Sequence, residues 1–264
     1  MSEGYLEKTQ ITISKIDSNF DDFGGNEMNW KEVKYEIKKN PIIGNTYQFL
    51  VGNRKIKKAQ VAAKQLLQEK GIELLRQIEL ALENYSDDLL YFADYGTLLG
   101  IVRDKKFITW DMDVDYGLIV QHEFNWDKFE EHLKKYGFKK VREYKYHDEI
   151  KEQTYAYHGL TIDFFGKTDD GENSIAYGFY TQKDFVYDNM CSRHVREVKY
   201  VRVLGVRKEK FLNVEVTIPI NAEEYLESAY SKNWRIPDPK WDDNNCDNRK
   251  VTLLDDLGVG IFYE

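Results

Sequence analysis

Residues 96–118 read Gly96-Thr97-Leu98-Leu99-Gly100-Ile101-Val102-Arg103, a link Asp104-Lys105-Lys106, then Phe107-Ile108-Thr109-Trp110-Asp111-Met112-Asp113-Val114-Asp115-Tyr116-Gly117-Leu118. Side chains of an extended strand alternate between its faces. A strand through the second half would therefore point Asp111, Asp113 and Asp115 one way and Met112 and Val114 the other. Three carboxylates on one face repel one another unless a cation sits among them, and hard divalent cations such as Mg²⁺ (or Mn²⁺) take oxygen ligands of this kind. The competing reading is a solvated acidic edge strand. Ile108, Trp110 and Leu118 argue against it, because they imply partial burial, where unpaired charge is costly.

The rest of the composition fits a soluble enzyme-sized domain. With 264 residues the chain can bury a sizeable core. Its composition, 42% hydrophobic and 32% charged residues, excludes a disordered chain. A net charge of -8 argues against a nucleic-acid binder, which usually carries a basic patch. Two cysteines, Cys191 and Cys246, are too few for a disulfide scaffold and fit a reducing compartment. Cys191 and His194 make a lone Cys-x-x-His pair, short of the ligands a zinc site needs. No signal-like leader and no apolar run long enough to span a bilayer is seen. The expected location is the cytoplasm, and a lipid-linked substrate would be compatible with a peripheral membrane contact.

Along the chain, residues 1–55 read as a polar N-terminal extension packed on a main domain of 56–264. Ile56, Ala59, Ala63, Leu66, Leu67, Leu74, Leu75, Ile78 and Leu82 recur at three- and four-residue spacing, which predicts a helix over 56–85. Gly71 inside it marks either a break or a close contact. A short helix is expected from Leu98 to Val102 and another over Glu123–Tyr136, capped by Gly137. Thr154 to Phe165 reads as one strong strand. A hairpin turn is expected over Asp169–Asn173, strands around Ile175–Tyr180, Val195–Val206 and Asn213–Ile218, and a helix over Ala222–Ser231. The tail from Asn244 onward shows a short apolar end.

A fourth carboxylate stands out. Asp163 lies between Ile162 and Phe164 in an otherwise apolar strand, where a lone Asp needs a partner. One partner would be a cation shared with Asp113 and Asp115; the other would be a nearby Lys or Arg. The first alternative makes a three-carboxylate site suited to phosphoryl or nucleotidyl transfer. The Gly96-Thr97 turn offers backbone N–H groups and a hydroxyl ahead of a helix, a phosphate-holding arrangement. Arg103 and Lys105 add positive charge beside it. Substrate contacts are accordingly expected at Gly96, Thr97, Arg103, Lys105 and Trp110.

The pattern Gly96-Thr97-Leu98-Leu99-Gly100-x-x-Arg103, followed by Phe107-Ile108-x-Trp110-Asp111-x-Asp113-Val114-Asp115, resembles the LicD family of phosphotransferases. That family includes bacterial phosphocholine transferases and is similar to fukutin and fukutin-related protein. A looser match covers Ile218-Pro219, Glu224-Tyr225-Leu226 and Tyr230-x-x-Asn233-Trp234. Thr109, Met112 and Lys106 depart from the residues common in relatives, but no carboxylate is lost. The resemblance implies an α+β fold of the nucleotidyltransferase kind: a central mixed sheet with flanking helices. It implies catalytic roles for Asp111, Asp113, Asp115 and Asp163, with Asp113, Asp115 and Asp163 as ligands of Mg²⁺ or Mn²⁺ and Asp111 at the mouth. It also implies the transfer of a phospho-alcohol such as phosphocholine from a CDP-linked donor to a glycan or lipid-linked sugar of a surface polymer. Nucleotidyl transfer with release of pyrophosphate is the enzymatic alternative, and a glycan-binding module the non-enzymatic one.

Overall fold

A 31-residue helix, α1 (Asn53–Glu83), runs without a break through Gly71. A Cβ at Gly71 would lie 2.6 Å from the Phe107 ring, so the glycine marks a close contact. Leu67, Leu74, Leu75, Ile78, Ala81 and Leu82 form the helix's fully buried stripe, as their spacing predicts. The computed structural model describes residues 53–86, 88–120, 124–182, 185–187, 189–238, 241 and 249–263. The expected N-terminal extension falls outside them except for the first turn of α1, and so does Cys246.

The helix is also stitched in place by one buried carboxylate. Glu79 accepts hydrogen bonds from the Tyr116 hydroxyl at 2.6 Å, from Thr217 N–H at 2.9 Å and Thr217 Oγ1 at 2.7 Å, and from Lys208 Nζ at 2.8 Å. A buried charge survives where every lone pair finds a donor in this way.

After α1 come β1 (Leu90–Ala93), the short helix α2 (Tyr95–Leu99), a π-helical turn (Gly100–Asp104) and β2 (Val114–Ile119). There follow α3 (Trp126–Lys135), β3 (Lys139–Tyr146), β4 (Glu149–Tyr157), β5 (Leu160–Asp169), β6 (Asn173–Tyr180), β7 (Ser192–Val201), β8 (Val206–Phe211), β9 (Val214–Pro219), α4 (Ala222–Tyr230) and β10 (Lys250–Phe262). Eight strands form one sheet in the order β1-β2-β5-β4-β3-β10-β7-β6, and β6 also pairs with the end of β5. β2 and β5 run parallel, and the other neighbours are antiparallel. β8 and β9 make a separate ribbon. This is the mixed sheet with flanking helices expected of the α+β class.

Four local expectations need correction. β2 begins only at Val114, so Asp111 and Asp113 precede the strand, and a bond from Asp111 N–H to the Ile108 carbonyl makes a turn there. Gly96 lies within the first turn of α2, which starts three residues earlier than expected. The stretch 154–165 is a hairpin, not one strand. His158 and Gly159 have φ of 49° and 87°, two consecutive positive values that reverse the chain. His158 is thus a turn residue and does not share a strand with Asp163. The tail is a 13-residue strand in the middle of the sheet. Asp255, Asp256, Gly258 and Gly260 interrupt its alternation, and its pairing shifts register between Leu254 and Gly258.

Candidate active site

The site grows from the β1–α2 junction. Asp94 caps α2, its Oδ1 accepting from Tyr95 N–H at 2.8 Å and from the Tyr225 hydroxyl at 3.0 Å. Its Oδ2 lies 2.8 Å from Lys167 Nζ, a charge contact without hydrogen-bond alignment. Both side chains are 0% exposed. Lys167 also donates to the Tyr225 hydroxyl at 2.9 Å and sits 4.6 Å and 4.4 Å from the ring centres of Tyr95 and Tyr200, within cation–π range. Burial lowers the Lys167 pKa, and Asp94 opposes that shift. Tyr95 is held at φ 39°, a costly conformation for a bulky residue. Phe165 packs edge-on against its ring and the Tyr200 hydroxyl lies 3.1 Å from its own.

From this junction the chain presents its carboxylates. Asp94 N–H donates to the Asp115 carbonyl, and Asp115 N–H donates to Thr97 Oγ1, both at 2.9 Å, which locks α2 to β2. Asp115 stands opposite Asp163 in the parallel β2–β5 register. Gly96 backs onto Asp111, whose carboxylate a Cβ there would strike. Burial, then the charge of Asp113, pushes the Asp111 pKa up to about 7. Asp113 is raised by burial and by Asp163. Asp115 is raised further by burial and by Asp113, Asp163, Asp111 and Asp94 together.

Asp163 has a basic partner: Arg142 Nη2 lies 3.2 Å and 3.3 Å from its two oxygens. The same guanidinium donates to Thr154 Oγ1 at 3.0 Å and to Glu152 Oε1 at 3.3 Å. Burial and the charge of Asp163 lift the Glu152 pKa to about 8, with Arg142 opposing.

A cavity of about 730 Å³ gathers many of the expected residues. Gly96, Arg103, Trp110, Asp111, Asp113 and Asp115 line it, together with Tyr95, Tyr230, Trp234 and Trp241. Arg103 is forked onto Asp104 at 2.7 Å and 2.8 Å and donates to the Trp234 carbonyl at 3.2 Å, which ties the π turn to the segment after α4. Trp110 is 40% exposed at the rim. Three expected residues stand elsewhere. Thr97 is buried against β2. Lys105 faces a different hollow, 3.5 Å from Glu209. Asp163 sits behind Asp115, on Arg142.

Among the described residues no group of three or more His, Cys, Asp or Glu side chains converges on one metal position. The donor chemistry nonetheless suits a hard cation. Asp113 and Asp115 are half-buried, mutually repelling carboxylates beside an open cavity, and Mg²⁺ commonly takes one or two carboxylates and completes its shell with water and substrate phosphates.

Several site residues escaped the sequence reading. Lys167 carried a signal, a lone lysine two positions from Phe165 in an apolar strand. Arg142 and Glu152 carried none, because their importance arises from pairing between strands. Cys191 is a free thiol, and the His194 ring packs among Tyr180, Phe185 and Tyr187.

Comparisons with known proteins give the family of this chain. The profile described as LicD/FKTN/FKRP, nucleotidyltransferase domain, matches residues 88–221, just over half the chain. An uncharacterized protein of Rickettsia typhi is 27% identical over 188 residues, 70% of this chain and 51% of the relative. Ribitol-5-phosphate transferase FKTN of Mus musculus is 25% identical over 173 residues, 62% of this chain and 34% of the relative. Its counterpart in Macaca fascicularis is 26% identical over 159 residues, 58% of this chain and 31% of the relative. The chain thus spans 31–51% of the length of the curated relatives it matches. Residues 88–221 run from β1, which leads into the Asp94 cap, past the aspartates of β2 and β5, to β9, and the chain belongs to the LicD/FKTN/FKRP family of nucleotidyltransferase domains.

Proposed function

We propose that the chain moves a phospho-alcohol group from a CDP-linked donor to a hydroxyl of a glycan, with CMP as the leaving group. The observation that carries this reading is the pairing of Asp113 and Asp115 with Gly96 on one cavity of about 730 Å³ in a chain of this family. That volume lies within the usual range for small-molecule sites. The mouse and macaque relatives are named ribitol-5-phosphate transferases, so ribitol 5-phosphate stands beside phosphocholine as the group transferred.

Trp110, Tyr230 and Trp241 offer π faces to a cytosine base. Gly96 lets the chain approach the Asp111 carboxylate closely. Asp113 and Asp115 would hold Mg²⁺ or Mn²⁺, while Asp163, opposite Asp115 on β5, is paired with Arg142. Bound there, a divalent cation would neutralise charge on the phosphates as the bond to CMP breaks. Asp111, at the mouth against Gly96, stands where an incoming hydroxyl can pass it a proton. Catalysis then rests on positioning and charge neutralisation.

The test is a product assay. The protein is incubated with Mg²⁺, a glycan acceptor and CDP-ribitol, CDP-choline, CDP-glycerol, CTP or ATP. Release of CMP from a CDP-alcohol is the expected outcome. Pyrophosphate from CTP, with every CDP-alcohol left intact, would replace this reading with nucleotidyl transfer.

A further inference from the structure

Tyr230, the last residue of α4, shares the lining of the larger cavity with Asp111, Asp113 and Asp115. A smaller cavity of about 420 Å³, built mostly by strands, takes Tyr95 and Asp115 as walls too, but not Tyr230. The Tyr230 ring packs against Trp241, the two centres 4.8 Å apart. Its hydroxyl has no hydrogen-bond partner among the described residues and is not sealed from solvent. Burial raises its pKa well above the usual tyrosine value, and Asp115 and then Asp111 raise it further, which places the phenol in the field of both carboxylates. The backbone is strained where α4 ends. Ser231 follows at φ 88°, a costly value for a residue with a Cβ. Ser231 N–H donates to the Glu227 carbonyl at 3.0 Å, and Trp234 N–H donates to the Ser231 carbonyl at 3.2 Å. Arg103 holds the Trp234 carbonyl from the π turn. Tyr230 is thus fixed in place while its hydroxyl is left unbonded.

We propose that the Tyr230 hydroxyl donates a hydrogen bond to a phosphate oxygen of the nucleoside diphosphate bound in the larger cavity. The inference rests on the transferase reading above. Phosphates that come to this wall meet the repulsion of Asp111, Asp113 and Asp115. A neutral O–H among these carboxylates gives an attraction in their place, and a hydrogen bond to a charged acceptor is stronger than one between neutral groups. Arg103, the cationic side chain on this cavity, is already committed to Asp104 and to the Trp234 carbonyl. The phenol has no such commitment. Because the strained turn fixes the ring, little freedom is lost when the hydroxyl takes up its partner.

The test is calorimetric titration of wild type and Tyr230→Phe with CDP and with cytidine, both in Mg²⁺, and with Mg²⁺ alone. The variant keeps the ring on Trp241 and leaves no group of the chain unpaired, so it should fold as the wild type does. CDP binding should weaken by about tenfold, the loss of one hydrogen bond to a charged group. Cytidine, which has the base but no phosphate, should bind both proteins within about twofold. Mg²⁺ affinity should not change. Equal CDP affinity in the two proteins, equal weakening of CDP and cytidine, or no CDP binding by the wild type would overturn the proposal. So would a loss of Mg²⁺ affinity in the variant, which would make the phenol a prop for the carboxylates. A wild type that binds CDP through Tyr230 but releases no CMP from any CDP-alcohol would instead count against the transferase reading alone.

Discussion

Of the two cavities that meet at Tyr95 and Asp115, the larger takes its walls from the start of α2, the loop that carries Trp110 to Asp113 and the segment 230–241. The smaller takes its walls from strands β2 to β7. Both are lined by aromatic rings, and the larger is partly exposed, as at Trp110. The smaller is rich in paired charges, with Arg142 held by three partners at once. A loop-built wall can adjust to a nucleotide that enters and leaves. A strand-built wall fixes angles between groups and favours one ligand geometry. The contrast sets an adaptable wall against a rigid one on the two sides of the same carboxylate.

The largest expected effect falls on what the cavities share. Lys167→Met leaves Asp94 buried without its cation and releases Tyr95 from the wall. A loss of about 3–5 kcal/mol is expected in urea unfolding, the range for breaking a buried pair from one side. A loss under about 1 kcal/mol would show that the cage does not hold the junction. Next comes Asp113→Ala, on the larger cavity alone. CMP release should fall by more than roughly 100-fold, beyond the loss typical of an outer partner of a metal ligand, with circular dichroism unchanged. Unfolding of the variant would instead make the carboxylate structural.

Smaller effects separate the two sides. Trp110→Ala should weaken binding of a CDP-alcohol by about 1–3 kcal/mol, the scale of base stacking on an aromatic ring. Unchanged affinity would take the Trp110 ring off the base. The smallest effect lies on the outer side of the strand-built half. Burial alone would raise the Glu143 carboxyl, but hydrogen bonds from Lys140, Lys145, Tyr263 and Gln153 outweigh it and hold the pKa down from 4.5 to about 2. The ionised form is therefore favoured by folding, so its contribution is complete above about pH 4.5 and is lost as pH falls toward 2. Urea midpoints at pH 7 and pH 3 should differ more for wild type than for Glu143→Gln. Equal pH dependence would exclude Glu143 as a source of acid sensitivity.

The same contrast explains what could be read in advance. The larger cavity's key residues lie within 96–115, and a motif survives in the sequence even where the element boundaries are misjudged. Asp111 and Asp113 precede the strand they were assigned to, yet they still reach the cavity beside Asp115. The smaller cavity depends on registers between strands far apart in the chain. Nothing near Arg142 announces Asp163, and nothing near Arg196 announces Arg142. The hairpin at His158–Gly159 was hidden because its turn interrupts an apolar run by only two residues. β10 was hidden because two aspartates and two glycines break its alternation. Lys167 was visible as an oddity, but its partner Asp94 lies far earlier in the chain, across a contact that only the fold creates.

The most direct measurement follows CDP-ribitol by phosphorus NMR with Mg²⁺ and a glycan acceptor, for wild type and for Asp115→Asn, both shown to be folded. The account predicts that the diphosphate signal of the donor gives way to CMP in the wild type and persists in the variant. A variant that releases CMP at the wild-type rate, or a wild type that leaves the donor untouched while splitting CTP, would contradict it.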